Sequence, residues 1–376
     1  RSWSKGFYSV AGSAHNLACF ADLPHRPVPV HLEEFRRVSA THPYAALTPE
    51  VILDAVETFG LRCTGALHAL NSYENRVYRV ETEEQGPVAA KFYRPERWSD
   101  ATIREEHRFA LELLEQEIPV VAPLVRADND TLATHAGFRL ALFPWQPGRV
   151  SELNLRAERE ILGRYLGRLH RVGRSQRFQH RLTITVNGYG REAADYILKN
   201  RFLPDYLEIP YRTLTDQLLE LIGARFEAVA PQHLRLHGDC HLGNLLWTEP
   251  RRDDGNEQGR NVHIVDLDDC RTGPAVQDLW MLLSGSRTDM EQQLGDILTG
   301  YTQFMDFDAS ELALLEPLRT LRLLHYSAWL ARRWDDPAFP MNFPWFNTPR
   351  YWEEQILHLR EQLALLEEPP LAWRPD

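Results

Sequence analysis

Three side chains, Asp239, Asn244 and Asp266, have types and a spacing that could do chemistry. Asp239 and Asn244 lie five residues apart in HLRLHGDCHLGNLLW, and Asp266 follows the apolar run NVHIV. Phosphoryl transfer needs a group to orient the attacking hydroxyl and oxygen ligands for the Mg2+ that bridges nucleotide phosphates. Mg2+ is hard, keeps several waters or phosphate oxygens, and takes only one or two protein carboxylates. A carboxylate at 239 for the hydroxyl, with the amide at 244 and the carboxylate at 266 for Mg2+, divides that labour. The D-x-x-x-x-N interval alone is weak. HxD ahead of it, an apolar run behind it and VD at the next run make it strong. Asp268 and Asp269, next along the chain, are expected to cap loop backbone.

Two apolar runs must position these groups, and EPRRDDGNEQGR between them has the composition of a solvated turn. A hairpin is expected, with Asp239 and Asn244 near one end and Asp266 near the other. His237 and His241 leave a transition-metal reading open, since H-x-D-x-H with His263 nearby could bind such an ion; that would make a metallohydrolase. The oxygen donors Asn244 and Asp266 favour Mg2+, with His237 pinning the loop and His241 facing the phosphates. Lys91 lies inside the apolar stretch PVAAKFY, where a charge is costly unless used. It is either a phosphate-binding lysine, with Glu105 or Glu106 of the next helix as partner, or an edge-strand residue pointing to solvent.

The wider chain fits two lobes. At 376 residues it is long enough for two cores, and its charge, 42 − 53 = −11, argues against general binding to nucleic acid or an anionic membrane. Four cysteines without CxxC pairing suggest a reduced, cytoplasmic setting, and no apolar run reaches a membrane span. No signal-peptide pattern is present, and a monomer is expected. Residues 1–46 read as an extension. Thr48 as N-cap, Pro49 in the first turn and Gly60 beyond the end predict a helix. Strands are expected within 63–84, 87–96, 119–127 and 138–145, with a helix from about Asp100 to Pro119 between them. Pro144, Pro147 and Gly148 break the pattern between a mainly β lobe (47–145) and a mainly α lobe (146–376). Helices are expected there around Ile161–Leu169, over 213–229, and in four later stretches.

Lys91 with the Glu105/Glu106 helix, HGDCHLGN and IVDLDD resemble the aminoglycoside phosphotransferase-like branch of the protein-kinase fold. LNSYENRVYRV, KFYRPERW, VDLDDCRTGPAVQDLWMLL and RRWDDPAFPMNFPW resemble, more narrowly, the bacterial stress response kinase A (YihE protein kinase) family, over about Thr48 to Pro370. The resemblance implies an α+β, bilobal protein-kinase-like fold with a small mainly β N-lobe and a larger mainly α C-lobe. It implies an ATP- and Mg2+-dependent kinase acting on serine or threonine of protein substrates in a stress response. Asp239 would be the catalytic base, Asn244 and Asp266 the Mg2+ ligands, and Lys91 with Glu106 the phosphate-binding pair. Phe143-Pro144-Trp145 would be the hinge that holds adenine, and Asp278 the buried anchor of the catalytic loop. Departures from ordinary protein kinases are Asn71-Ser72-Tyr73-Glu74-Asn75 in place of a glycine-rich loop, Gly238 where many carry arginine, and no APE-like activation segment. The rival readings are a small-molecule phosphotransferase, on an aminoglycoside-, choline- or homoserine-like alcohol, and a nucleotide-binding scaffold without catalysis.

Overall fold

The computed structural model describes residues 43–70, 72–248, 252–253, 256–257 and 261–374. Most of the expected extension 1–46, Cys19, Asn71 and much of the insertion Glu249–Arg260 lie outside the described residues.

Helix α1 (Pro49–Glu57) starts as its sequence dictates, with the Thr48 hydroxyl accepting from Val51 N. It packs beside an antiparallel sheet formed by β1 (Cys63–Ala69), β2 (Arg76–Thr82), β3 (Gly86–Phe92), β4 (Ala133–His135) and β5 (Phe138–Pro144), in the order β1-β2-β3-β5-β4. Val80, Val88, Ala90, Phe92, Leu140 and Leu142 bury one sheet face against Ile52, Ala55 and Val56 of α1. Residues 119–127 are not the expected strand. Pro119 and Pro123 lack ladder donors, so this segment makes a bridge from Val120 to Ile264 and single bonds from Leu124 N to Leu142 O and from Arg126 N to Asp130 O instead of a strand ladder.

Helix α2 (Asp100–Glu115) is N-capped by Ser99 and crosses between the two cores. Phe109, Ala110 and Leu113 belong to the larger, helical core, which α3 (Arg156–Ser175), α4 (Glu192–Lys199), α5 (Asp205–Val229), α6 (Gln277–Trp280), α7 (Arg287–Tyr301), α8 (Leu315–Ala331), α9 (Ala338–Asn342) and α10 (Pro349–Glu367) supply. The short α4 and α9 fall outside the expected set, as does the π-helical turn Asn187–Arg191 before α4. The expected helix at VQDLWMLL shortens to the four residues of α6. Helices α3 and α7 cross unusually closely, because a Cβ at Gly163 would stand 1.9 Å from Ile297 O.

The central segment forms two small ribbons rather than a single hairpin. β6 (Leu234–Leu236) pairs with β11 (Arg271–Gly273), and β7 (Leu245–Thr248) pairs with β10 (Asn261–Ile264); β8 (Arg252–Asp253) and β9 (Asn256–Glu257) pair within the insertion. The Leu245–Ile264 register puts Asn244 and Asp266 at the same end of β7–β10, not at opposite ends, and Val265 N bonds Asn244 O at 3.0 Å.

Candidate active site

A cleft of about 900 Å3 lies between the sheet and the helical region, lined by Lys91, Glu106, Phe143, Trp145, Asp239, His241 and Asp266. Strand β3 is in the middle of the sheet, so Lys91 is not an edge lysine, and it is 6% exposed. Its ammonium is 3.0 Å from Asp266 Oδ1, 3.4 Å from Asp268 Oδ1 and 3.7 Å from Glu106 Oε1. Burial works against the ammonium, yet the three carboxylates outweigh it and hold the Lys91 pKa well above its ordinary value.

The two neighbouring glutamates part company. Glu106 faces Lys91, and burial, only partly offset by Lys91, pushes its carboxyl up to about 7. Glu105 instead accepts from Gln179 N, His180 N and Arg181 N at 2.6, 2.7 and 2.8 Å, fixing the loop after α3.

The Asp239 loop is held by its backbone. Asp278, fully buried at the start of α6, accepts from His237 N at Oδ2 and Gly238 N at Oδ1, 2.8 Å each, and His170 Nε2 stands 3.0 Å from the same Oδ2. His237, also fully buried, pins the loop through Nε2 to Val265 O at 2.9 Å. Gly238 has φ +82°, and a Cβ there would lie 2.3 Å from Asp269 O. An arginine there would force the turn to shift. This turn aims Asp239 into the cleft, where Arg322 of α8 pairs with its Oδ1 at 2.7 Å and His241 Nε2 stands 3.6 Å from Oδ2. Burial would raise the Asp239 pKa, but Arg322, then His241, holds it below the usual carboxylate value. Burial lowers that of His241, whose Nδ1 accepts from Gly243 N at 3.0 Å.

Asn244 donates Nδ2–H to Asp239 O at 3.0 Å, leaving its amide oxygen as the free donor atom. Asp266 sits in the left-handed region, φ 59°, with its side chain 55% exposed to the cleft. An amide oxygen and an open carboxylate suit a hard, oxygen-seeking cation. Among the described residues no group of three or more His, Cys, Asp or Glu is arranged to hold a metal.

Asp268 and Asp269 do not cap backbone as expected. Asp268 ion-pairs with Arg97 and Lys91 and accepts from Asn75 Nδ2 at 3.1 Å; Asp269 binds Arg97 at 2.9 Å and Arg271 at 2.7 Å. Arg97, in the loop before α2, is the reason: its guanidinium reaches both carboxylates. Burial raises the Asp268 pKa, but Arg97, then Lys91, overrides it and holds the carboxyl down to about 2. Cys240 and Cys270 are wholly buried, and burial drives the Cys270 thiol up to about 12, as fits small interior residues rather than nucleophiles.

Sequence reading missed the α8 side of the cleft. Arg322, Tyr326, Trp329 and Arg333 recur at helical spacing in RLLHYSAWLARR, and all line the cavity. Trp329 Nε1 donates to Glu74 Oε2 at 2.7 Å and Arg333 Nε pairs with the same oxygen at 2.6 Å. The β1–β2 loop is thereby tied to α8. The missed signal was polar: this stripe sits inside an otherwise apolar helix.

A five-stranded antiparallel sheet set over a larger helical region, with a lysine–carboxylate cleft between them, is the architecture of a kinase-like phosphotransferase. The chain belongs to the phosphotransferase enzyme family, whose model matches residues 67–315, and within it to the stress response kinase A family. It is 45% identical to stress response kinase A of Escherichia coli over 88% of this chain and 97% of that one, and 43% identical to the serine/threonine protein kinase RdoA of Salmonella typhimurium over the same shares. Among solved structures, amicoumacin kinase hAmiN in complex with AMP-PNP, Ca2+ and Ami matches with a TM-score of 0.62 at 17% identity, covering 91% of this chain and 97% of that one. The microcompartment-associated aminopropanol kinase matches with a TM-score of 0.59 at 18% identity, over 84% and 95%. At such low identity these two share the fold.

Proposed function

We propose that the protein is an ATP- and Mg2+-dependent kinase that transfers the γ-phosphate to serine or threonine of protein substrates, working as a monomer in the cytoplasm. The lobes would divide at residues 145/146, with adenine held by backbone at Phe143–Trp145. The observation that carries the reading is the meeting, in one cleft, of Lys91 paired to Asp266 and of an Asp239 held by its own buried anchor. The names of the stress-response and serine/threonine kinase relatives support the acceptor type.

Bound Mg2+, held by Asn244 and Asp266, would neutralise charge on the transferring phosphoryl group. Lys91 binds α/β-phosphate oxygens, and Glu106 keeps its ammonium directed into the cleft. His241 lies close enough to Asp239 to meet the phosphates beside it. Asp239 orients the acceptor hydroxyl and takes its proton as the new P–O bond forms and the bond from the γ-phosphorus to the β-phosphate oxygen breaks, releasing ADP. Arg322 keeps Asp239 ionised and fixed. Positioning and preorganised charge supply most of such catalysis.

Incubation with labelled ATP, Mg2+ and generic protein substrates tests the reading. Asp239→Ala should lose about 10²–10⁴-fold in rate; equal labelling by both forms would refute the role of Asp239. A small-molecule alcohol is the second reading, favoured by the short path from Asp266 through β11 to α6, which leaves no long segment to dock a polypeptide. Strong ATP turnover with one alcohol and none with protein would establish it.

A further inference from the structure

Beyond the catalytic loop, α8 and the two residues after it present one continuous face to the cleft: Arg322, His325, Tyr326, Trp329, Arg332 and Arg333. The steps of three and four residues put them in line. The face begins at Asp239, where the acceptor hydroxyl must sit, since Arg322 touches that carboxylate at 2.7 Å. Tyr326 and Trp329 stack at 5.7 Å between centroids and form an apolar platform between the guanidinium groups.

The charge on this face has one sign. None of these six is acidic, and burial keeps His325 neutral, its pKa lowered to about 3. The carboxylates opposite are already engaged: Glu74 by Arg333 and Trp329, with Arg94 and Arg97 within 3.8 Å, and Asp269 by Arg97 and Arg271. Arg332 closes the row at the outer end. Its guanidinium lies over Tyr196 at 5.1 Å, and among the described residues no carboxylate pairs with it. An amine-bearing acceptor would meet a row of guanidinium groups, and among the described carboxylates of the cleft outside the proposed Mg2+ site only Glu96, in the loop after β3, carries no ion pair. Arg322 and Arg333 are held by Asp239 and Glu74, so a carboxylate-bearing one would meet Arg332 as the fork-shaped donor that no described carboxylate occupies.

We propose that this α8 face is the acceptor subsite, and that it selects a hydroxyl flanked by negative charge: in a protein substrate, a serine or threonine in an acidic segment. The inference rests on the kinase reading above for the position of Asp239 and for the polypeptide nature of the acceptor.

The test uses the full chain with ATP and Mg2+ and three serine peptides alike except for glutamate, alanine or lysine flanks. We expect kcat/KM at least tenfold higher for the glutamate-flanked peptide than for the lysine-flanked one. Arg332→Glu, at an exposed position, should lower that ratio at least fivefold. Equal use of the peptides, a preference for lysine, or an unchanged ratio in Arg332→Glu overturns the subsite while leaving the kinase reading intact. If no peptide is phosphorylated but an alcohol is, the protein-kinase reading fails separately. Glycerate against ethanolamine then decides the charge preference, and ethanolamine winning overturns the subsite. Should nothing be phosphorylated, titration of the glutamate-flanked peptide with alanine in place of serine, beside a non-hydrolysable ATP analogue and Mg2+, is decisive. Absence of binding, or binding no tighter than the lysine-flanked form, overturns it.

Discussion

Lys91 stands among three carboxylates, and burial decides how one of them behaves. Asp266, Asp268 and Glu106 all lie within 3.7 Å of the ammonium, and burial, only partly offset by Lys91, raises Glu106 to about 7. The sign of the consequence is fixed. Between the ordinary glutamate value near 4.5 and about 7, the folded protein keeps a proton that the unfolded chain releases. Stability therefore falls as pH rises through that window, by up to about 1.4 kcal/mol per unit. Urea unfolding at pH 5 and pH 7.5 should show this fall in the wild type and a smaller one in Glu106→Gln; equal slopes would remove Glu106 as the cause. Asp266 is the opposite case, because its side chain is open to the cleft. Asp266→Asn should abolish transfer yet move Tm by only a few degrees, as thermal melts beside the labelled-ATP assay would record.

At the level of elements, the catalytic loop is a strained turn held by a buried anchor. Gly238 takes a positive φ against the Asp269 carbonyl, so Gly238→Ala should destabilise by about 1–3 kcal/mol and cut transfer rates, because the Asp239 turn must shift. Asp278→Ala removes the acceptor for two buried N–H groups, at roughly 1–3 kcal/mol for each donor left unsatisfied. Chemical denaturation measures both, and wild-type stability in either variant would contradict the account. Much of this level was legible in advance. Thr48 and Pro49 fixed the start of α1, and the 3.6-residue pattern located α3, α5, α7, α8 and α10. Residues 119–127 misled because an apolar, β-branched run resembles a strand until its prolines and its neighbours decide the pairing.

Across the whole molecule, Glu74 joins the two regions. It lies in the loop between β1 and β2, and its carboxylate is held by Trp329 and Arg333 at the far end of α8. Asn75 beside it bonds Asp268, and Tyr73 packs against Phe343 at 4.9 Å between centroids. The loop over the cleft is thus positioned by the helical region. Glu74→Gln should weaken this tie, raise the KM for ATP about 3–10-fold, on the order of 1 kcal/mol, and shift the Trp329 emission. An unchanged KM and spectrum would show that the loop holds its place by backbone alone.

The sequence by itself singled out the polar side chains. Residue type and short spacing sufficed to pick Asp239, Asn244, Asp266 and Lys91, because carboxylates, an amide and a lysine within or beside apolar runs are local features. It also determined the lobe-scale sequence of strands followed by helices, since periodicity is local too. Residue type and spacing left Glu105 and Glu106 both open, the resemblance implied Glu106, and the tertiary structure puts Glu106 beside the lysine. Adjacent helical residues point about 100° apart, and which of them faces the sheet depends on how α2 packs. Only the tertiary structure turned Asp268 and Asp269 from backbone caps into partners of Arg97, 171 and 172 residues away in the chain. It alone brought Arg322 to Asp239, since no pattern in one helix announces which distant loop its polar stripe will meet.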